Sequence, residues 1–127
     1  MTWTDTGPDT LTRRIVVDRA GNCCELCGLW AVGAQIHHRR PRGIGGSSDP
    51  AINAASNLVL FCFDCHTFVE RIERESAYRY GWLVPDGTAP GEHPFLLLGR
   101  WVFLDDHGRY VDAPDLSDED DSQEELF

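Results

Sequence analysis

Cys24-Glu25-Leu26-Cys27 and Cys62-Phe63-Asp64-Cys65-His66, with 34 residues between the two hooks, are the stretches whose reading decides the fold. Two Cys-x-x-Cys hooks offer four thiolates, and a tetrahedron of four sulfurs is the closed shell that structural zinc takes. Cys24, Cys27, Cys62 and Cys65 are therefore the expected zinc ligands. Cys23 is set aside, because Cys24 gives the two-residue spacing. A site closed by four sulfurs has no use for His37, His38 and His66, so these three are left for chemistry elsewhere.

A chain of 127 residues fits one domain with a modest core, in which a metal staple supplies part of the folding energy. Met1-Thr2-Trp3-Thr4-Asp5 has no basic segment followed by an apolar run, and the longest apolar stretches, such as Phe95 to Leu98, are too short to span a bilayer. Paired cysteine hooks without an export signal read as metal ligands in a reducing, cytoplasmic setting. The net charge is −10, but eight acidic residues and no basic one lie between Asp112 and Glu125, which leaves −2 for the rest. Whole-chain charge thus argues little against nucleic acid, since binding follows the local patch. All eleven basic residues are arginine, whose planar fork suits phosphate, and Arg39, Arg40 and Arg42 follow the histidine pair directly.

Asp9 is the expected N-cap of a helix from Thr10 to Ala20 that Gly21 ends. Trp30 to Ile36 reads as a strand leading into His37 and His38, and Pro41 to Pro50 as a loop rich in Gly and Ser. Leu58 to Phe61 reads as a short buried strand. A helix from about Asp64 to Arg79 is expected next, with Phe68, Ile72 and Tyr78 inward and Glu70, Arg71, Glu73 and Arg74 outward. Beyond Gly81, Trp82-Leu83-Val84, Phe95 to Leu98 and Trp101 to Leu104 are β-like runs, and Asp106-His107-Gly108 reads as a hairpin turn before Tyr110. After Pro114 the chain is acidic and low in complexity, and disorder is expected. The expected division is a core over 1–80, an appended β element over 81–111 and a tail over 112–127.

In order along the chain stand Cys24-x-x-Cys27, His37-His38, Gly45-Gly46, Asn57-Leu58 and Cys62-x-x-Cys65-His66. This pattern resembles the HNH endonucleases of the ββα-metal class, in the subgroup with a four-cysteine zinc site. The resemblance covers roughly residues 10–80. It implies an α+β fold: a small zinc-stapled ββα-metal core with an appended C-terminal β-hairpin element and a disordered acidic tail. It also implies that His38 is the general base, that His37 and His66 hold one catalytic divalent ion, and that Asn57 orients the base-bearing loop, with Asn53 as its rival. Arg39, Arg40 and Arg42 become the expected DNA contacts.

One departure from the pattern is His37, which stands where many members carry Asp. Losing that negative charge weakens hard Mg²⁺ and favours Mn²⁺, Ni²⁺ or Zn²⁺. The implied activity is hydrolysis of DNA phosphodiester bonds, leaving 5′-phosphate and 3′-hydroxyl ends. The free-standing form is also similar to HNH proteins of actinobacterial phages, which implies a setting in phage DNA processing beside a terminase or another packaging protein. The alternative is a non-catalytic zinc-frame module that binds DNA or protein in a phage assembly.

Overall fold

The computed structural model describes residues 7–30, 33–41 and 49–114. Arg42, the Gly45-Gly46 pair and the acidic tail from Asp115 onward lie outside these residues. The fold begins as the sequence dictates. Helix α1 spans Thr10–Ala20, its first turn capped by Asp9, whose Oδ1 accepts from the Thr12 N–H at 2.7 Å. Gly21 ends it in the left-handed conformation at φ 62°, where a side chain would be strained.

Strand β1 (Gln35–His38) pairs antiparallel with β2 (Leu58–Phe61), and α2 (Phe63–Thr67) follows at once, completing a ββα unit. The strand expected over Trp30 to Ile36 is thus displaced: Trp30 makes only an isolated bridge to Cys23, and the paired strand contains both histidines. All four β2 residues are buried, and they divide with the period of two that a strand imposes. Val59 and Phe61 join the main core, while Leu58 and Leu60 pack with Val16 of α1. β2 is therefore apolar throughout because both of its faces are covered.

The long helix expected from Asp64 to Arg79 is broken. After α2 the chain makes a π-turn over Phe68–Ile72, kinks at Glu73 (φ −124°, ψ 50°) and resumes as α3 (Arg74–Arg79). The wider turn changes which residues point inward. Val69 and Ala77 are fully buried, while Ile72, expected inside, is 65% exposed.

Beyond Gly81, the run Trp82 to Val84 is not a strand. The Val84 N–H instead donates to the Arg39 carbonyl at 2.8 Å. Gly81 has no alternative residue, since a Cβ there would lie 1.8 Å from the Pro94 carbonyl oxygen. Strands β3 (Phe95–Leu97), β4 (Arg100–Leu104) and β5 (Tyr110–Asp112) form an antiparallel meander, so the expected hairpin carries a third strand. Phe95, Leu97, Val102 and Leu104 share one core cluster with Cys24, Val59, Phe61 and Val69. The meander is thus packed against the ββα unit.

A buried ion pair ties the cysteine hook to these elements. Arg19 donates to both Glu25 oxygens (2.9 and 2.8 Å), and Glu25 also accepts from the Leu60 N–H and the Tyr110 hydroxyl. One carboxylate between Cys24 and Cys27 therefore links α1, β2 and β5.

Candidate metal centres

The four cysteines converge from two places: the turn after α1 and the start of α2. Their sulfurs all lie within 4.8 Å of one another, positioned to form a zinc site. Backbone N–H groups aim at them: those of Leu26 and Cys27 at the Cys24 sulfur (3.4 and 3.5 Å), and that of Cys65 at the Cys62 sulfur (3.5 Å). Burial works to raise the Cys24 thiol, but the N–H groups of Cys27, Cys62 and Leu26 outweigh it and bring it down to about 7. Burial and the neighbouring thiols push Cys65 the other way. Four packed sulfurs cannot all ionise alone, and a divalent cation at their centre removes that conflict. Cys23 lies outside the cluster.

A second cluster is made by His37, His66 and Glu70, whose ligand atoms also lie within 4.8 Å of one another. β1 and α2 supply the histidines. Glu70, expected on the outer face, comes from the π-turn four residues after His66. The legible signal was that His-x-x-x-Glu spacing, which sets two side chains on one helical face. His37 is buried, stacked on Phe61 (4.9 Å between centroids, 19°) and edge-on to His66 (5.2 Å). Burial brings its pKa down to about 3, so the ring is neutral near pH 7.

The hydrogen bonds then define the chemistry. His37 Nε2 donates to the Trp82 carbonyl at 3.1 Å, which puts the lone pair on Nδ1. That Nδ1 lies 3.4 Å from Glu70 Oε1, while the other Glu70 oxygen accepts from Arg74 at 3.0 Å. A neutral ring's lone pair and a carboxylate oxygen repel each other, and a cation between them turns the repulsion into two bonds. The donor set thus fits a divalent ion. The Glu70 carboxylate also supplies the negative charge that His37 lacks.

His38 sits on the opposite face of β1 from His37. Its Nε2 donates to Asn53 Oδ1 at 2.8 Å, which sets the lone pair on Nδ1. Asn57 is fully buried. It accepts from the Arg40 N–H (2.8 Å) and donates to the Arg40 and Ile52 carbonyls (3.1 and 2.9 Å). The two asparagines weighed for the middle position therefore have different places: Asn53 touches the imidazole, and Asn57 clamps the backbone that follows it.

Arg39 and Arg40 do not face outward as expected. Arg39 is 0% exposed, and its guanidinium donates to the carbonyls of Gly81, Ser56, Pro90 and His93 at 2.7–3.1 Å. Burial lowers its pKa to about 9. Arg40 is also buried, paired with Asp49 and bonded to the Thr88 carbonyl. Both side chains are consumed in holding loops together.

Residues 24–70 match the model of the HNH endonuclease family. Those residues hold the ββα unit and both clusters, and this HNH domain match supports a nuclease-type function in general. A search of curated proteins and a search of solved structures each returned no match. Among the described residues no helix is long and apolar enough to cross a membrane.

Proposed function

We propose that this chain is a metal-dependent DNA endonuclease in which His38 is the general base. His37, His66 and Glu70 hold one catalytic divalent ion, and Cys24, Cys27, Cys62 and Cys65 hold a structural Zn²⁺. The observation that carries the reading is the meeting of a neutral His37 lone pair with the Glu70 carboxylate, one strand position from an imidazole oriented by Asn53. Bound there, a divalent ion would polarise a scissile phosphate and stabilise the departing 3′ oxygen. His38 Nδ1 takes the proton from attacking water, and Asn53 keeps that nitrogen unprotonated in the resting tautomer. Asn57 fixes the turn after β1 and so keeps the imidazole in register with the ion. Two imidazoles and one carboxylate favour Mn²⁺, Ni²⁺ or Zn²⁺ over Mg²⁺.

The products are 5′-phosphate and 3′-hydroxyl ends. The setting we propose is cytoplasmic, in phage DNA processing or packaging beside a terminase, and it rests on the resemblance of the His37 to Gly46 motif. Incubation of supercoiled plasmid with each divalent ion tests the reading. Wild-type protein should nick it, and His38→Ala should be slower by ~10²–10⁴-fold with zinc content unchanged. Equal nicking by His38→Ala would remove it as the base. No nicking with any ion would favour a zinc-frame binding module.

A further inference from the structure

With Arg39 and Arg40 buried, phosphate contacts must come from other residues. Eleven arginines are present, and most of those described are engaged. Arg19 is held by Glu25, Arg74 by Glu70 and Arg109 by Asp105, while Arg79 lies over the Tyr80 ring. Two others line depressions beside the candidate site. One, of about 590 Å³, is lined by Gln35, Phe63, His66, Thr67, Glu70 and Arg71. The other, of about 440 Å³, brings Arg13 beside His38, with Gln35 again in its wall.

Strand geometry explains why there are two. Successive side chains of β1 point to opposite faces, so His37 turns toward α2 and His38 toward α1. Among the described residues β1 pairs only with β2, and its other edge carries no further strand. Gln35, at the start of that edge, belongs to both depressions. They therefore meet around one strand, with the candidate base in one and two of the candidate metal ligands in the other.

Their charge differs from that of the chain as a whole. Among the described residues, the depression with His38 has no carboxylate in its lining, and the one with His66 has only Glu70. Arg71 is exposed, and its guanidinium forms no ion pair with a described carboxylate. Arg13 is also exposed, anchored through its Nε, which donates to the Pro8 carbonyl at 2.9 Å. Among the described residues its two terminal nitrogens have no hydrogen-bond partner, so the fork can meet an anion.

We propose that the two depressions form one groove for a DNA backbone, with Arg13 and Arg71 holding phosphates on either side of the scissile one. The inference rests on the endonuclease reading. It assigns backbone positioning to residues of α1 and the π-turn, and none to the buried Arg39 and Arg40. Such contacts fix register and carry no sequence information. Their loss should weaken binding alike for all sequences.

The test measures binding of a labelled DNA duplex by zinc-loaded full-length protein carrying His38→Ala, from 50 to 200 mM salt. Each phosphate contact contributes ~0.9 to the slope of log affinity against log salt. Arg13→Gln and Arg71→Gln should each lower that slope by about 1, and the pair by about 2. Gln at position 13 keeps a donor for the Pro8 carbonyl. Arg100→Ala, which removes the same charge from β4, should leave the slope as it is. Unchanged slopes, a fall in only one of the two variants, an equal fall in Arg100→Ala, or no DNA binding at all would each overturn the groove. Cleavage is scored separately with unsubstituted His38. Plasmid nicking with unchanged slopes would sink the groove and spare the endonuclease, whereas the expected slopes without nicking would do the reverse.

Discussion

The four-sulfur cluster and the His37–His66–Glu70 cluster share α2, yet they are built for opposite ends. Cys62 and Cys65 open the helix and meet a turn from the far side of β2, so four like ligands close around one point. His66 and Glu70 lie further along and meet β1. With His37 they provide three ligands among the described residues, and His66 and Glu70 line an open depression. A closed shell leaves a metal nothing to do but hold the chain together, whereas an incomplete one leaves positions for water and phosphate. The difference between the proposed staple and the proposed reactive centre lies in ligand count and access.

The largest effect should come from breaking the closed site. Cys24→Ser should lose zinc and cooperative folding together, since structural zinc contributes on the order of 10 kcal/mol or more in zinc-finger peptides. Metal analysis alongside thermal melting reads both. A Cys24→Ser protein that keeps one zinc and its melting point would refute the ligand set.

Arg39→Met tests the frame, because this residue adjoins the histidine pair in sequence but binds four loop carbonyls. Hydrogen bonds to a charged group contribute ~1.5–3 kcal/mol each. Their joint loss should cost at least ~3 kcal/mol in denaturant unfolding, with the salt slope of DNA binding unchanged. A lower slope without a stability change would return Arg39 to the DNA interface.

Glu70→Gln breaks the open site alone. Even outer-shell partners of a metal contribute ~10–100-fold in affinity. Losing a direct carboxylate should therefore raise the divalent ion concentration needed for half-maximal nicking by ~100-fold or more. Zinc content and melting point should stay where they are. Unchanged metal dependence would exclude Glu70 as a ligand. The smallest effect is expected from Cys23→Ser, which touches neither cluster. Its zinc content should match the wild type, and its melting point should move by no more than a few degrees, the scale of ~1 kcal/mol in a domain of this size.

What the sequence made legible was local or strongly periodic. Asp9 and Gly21 bound α1 because caps act within one turn. The hooks declared their four sulfurs by spacing, and Leu58 to Phe61 declared a strand by continuous apolarity. Arg39 and Arg40 misled because their partners are distant: nothing beside Arg39 says that carbonyls at 81, 90 and 93 will close around it. Glu70 was missed for a related reason. A straight helix with Phe68 and Ile72 inside puts it outside, and the π-turn that reverses this has no marker as plain as Pro or Gly. Trp82 to Val84 has strand composition, but Val84 is taken by the backbone of Arg39.

The central claim is that one ion folds this chain and a different, exchangeable one does its chemistry. Metal content and plasmid nicking, measured on one sample after mild chelation and again after a divalent ion is restored, address it most directly. The chelated protein should keep one zinc and its fold, fail to nick, and recover nicking when Mn²⁺ or Ni²⁺ is added. Undiminished nicking by protein holding a single zinc, or activity lost only as that zinc leaves, would contradict it.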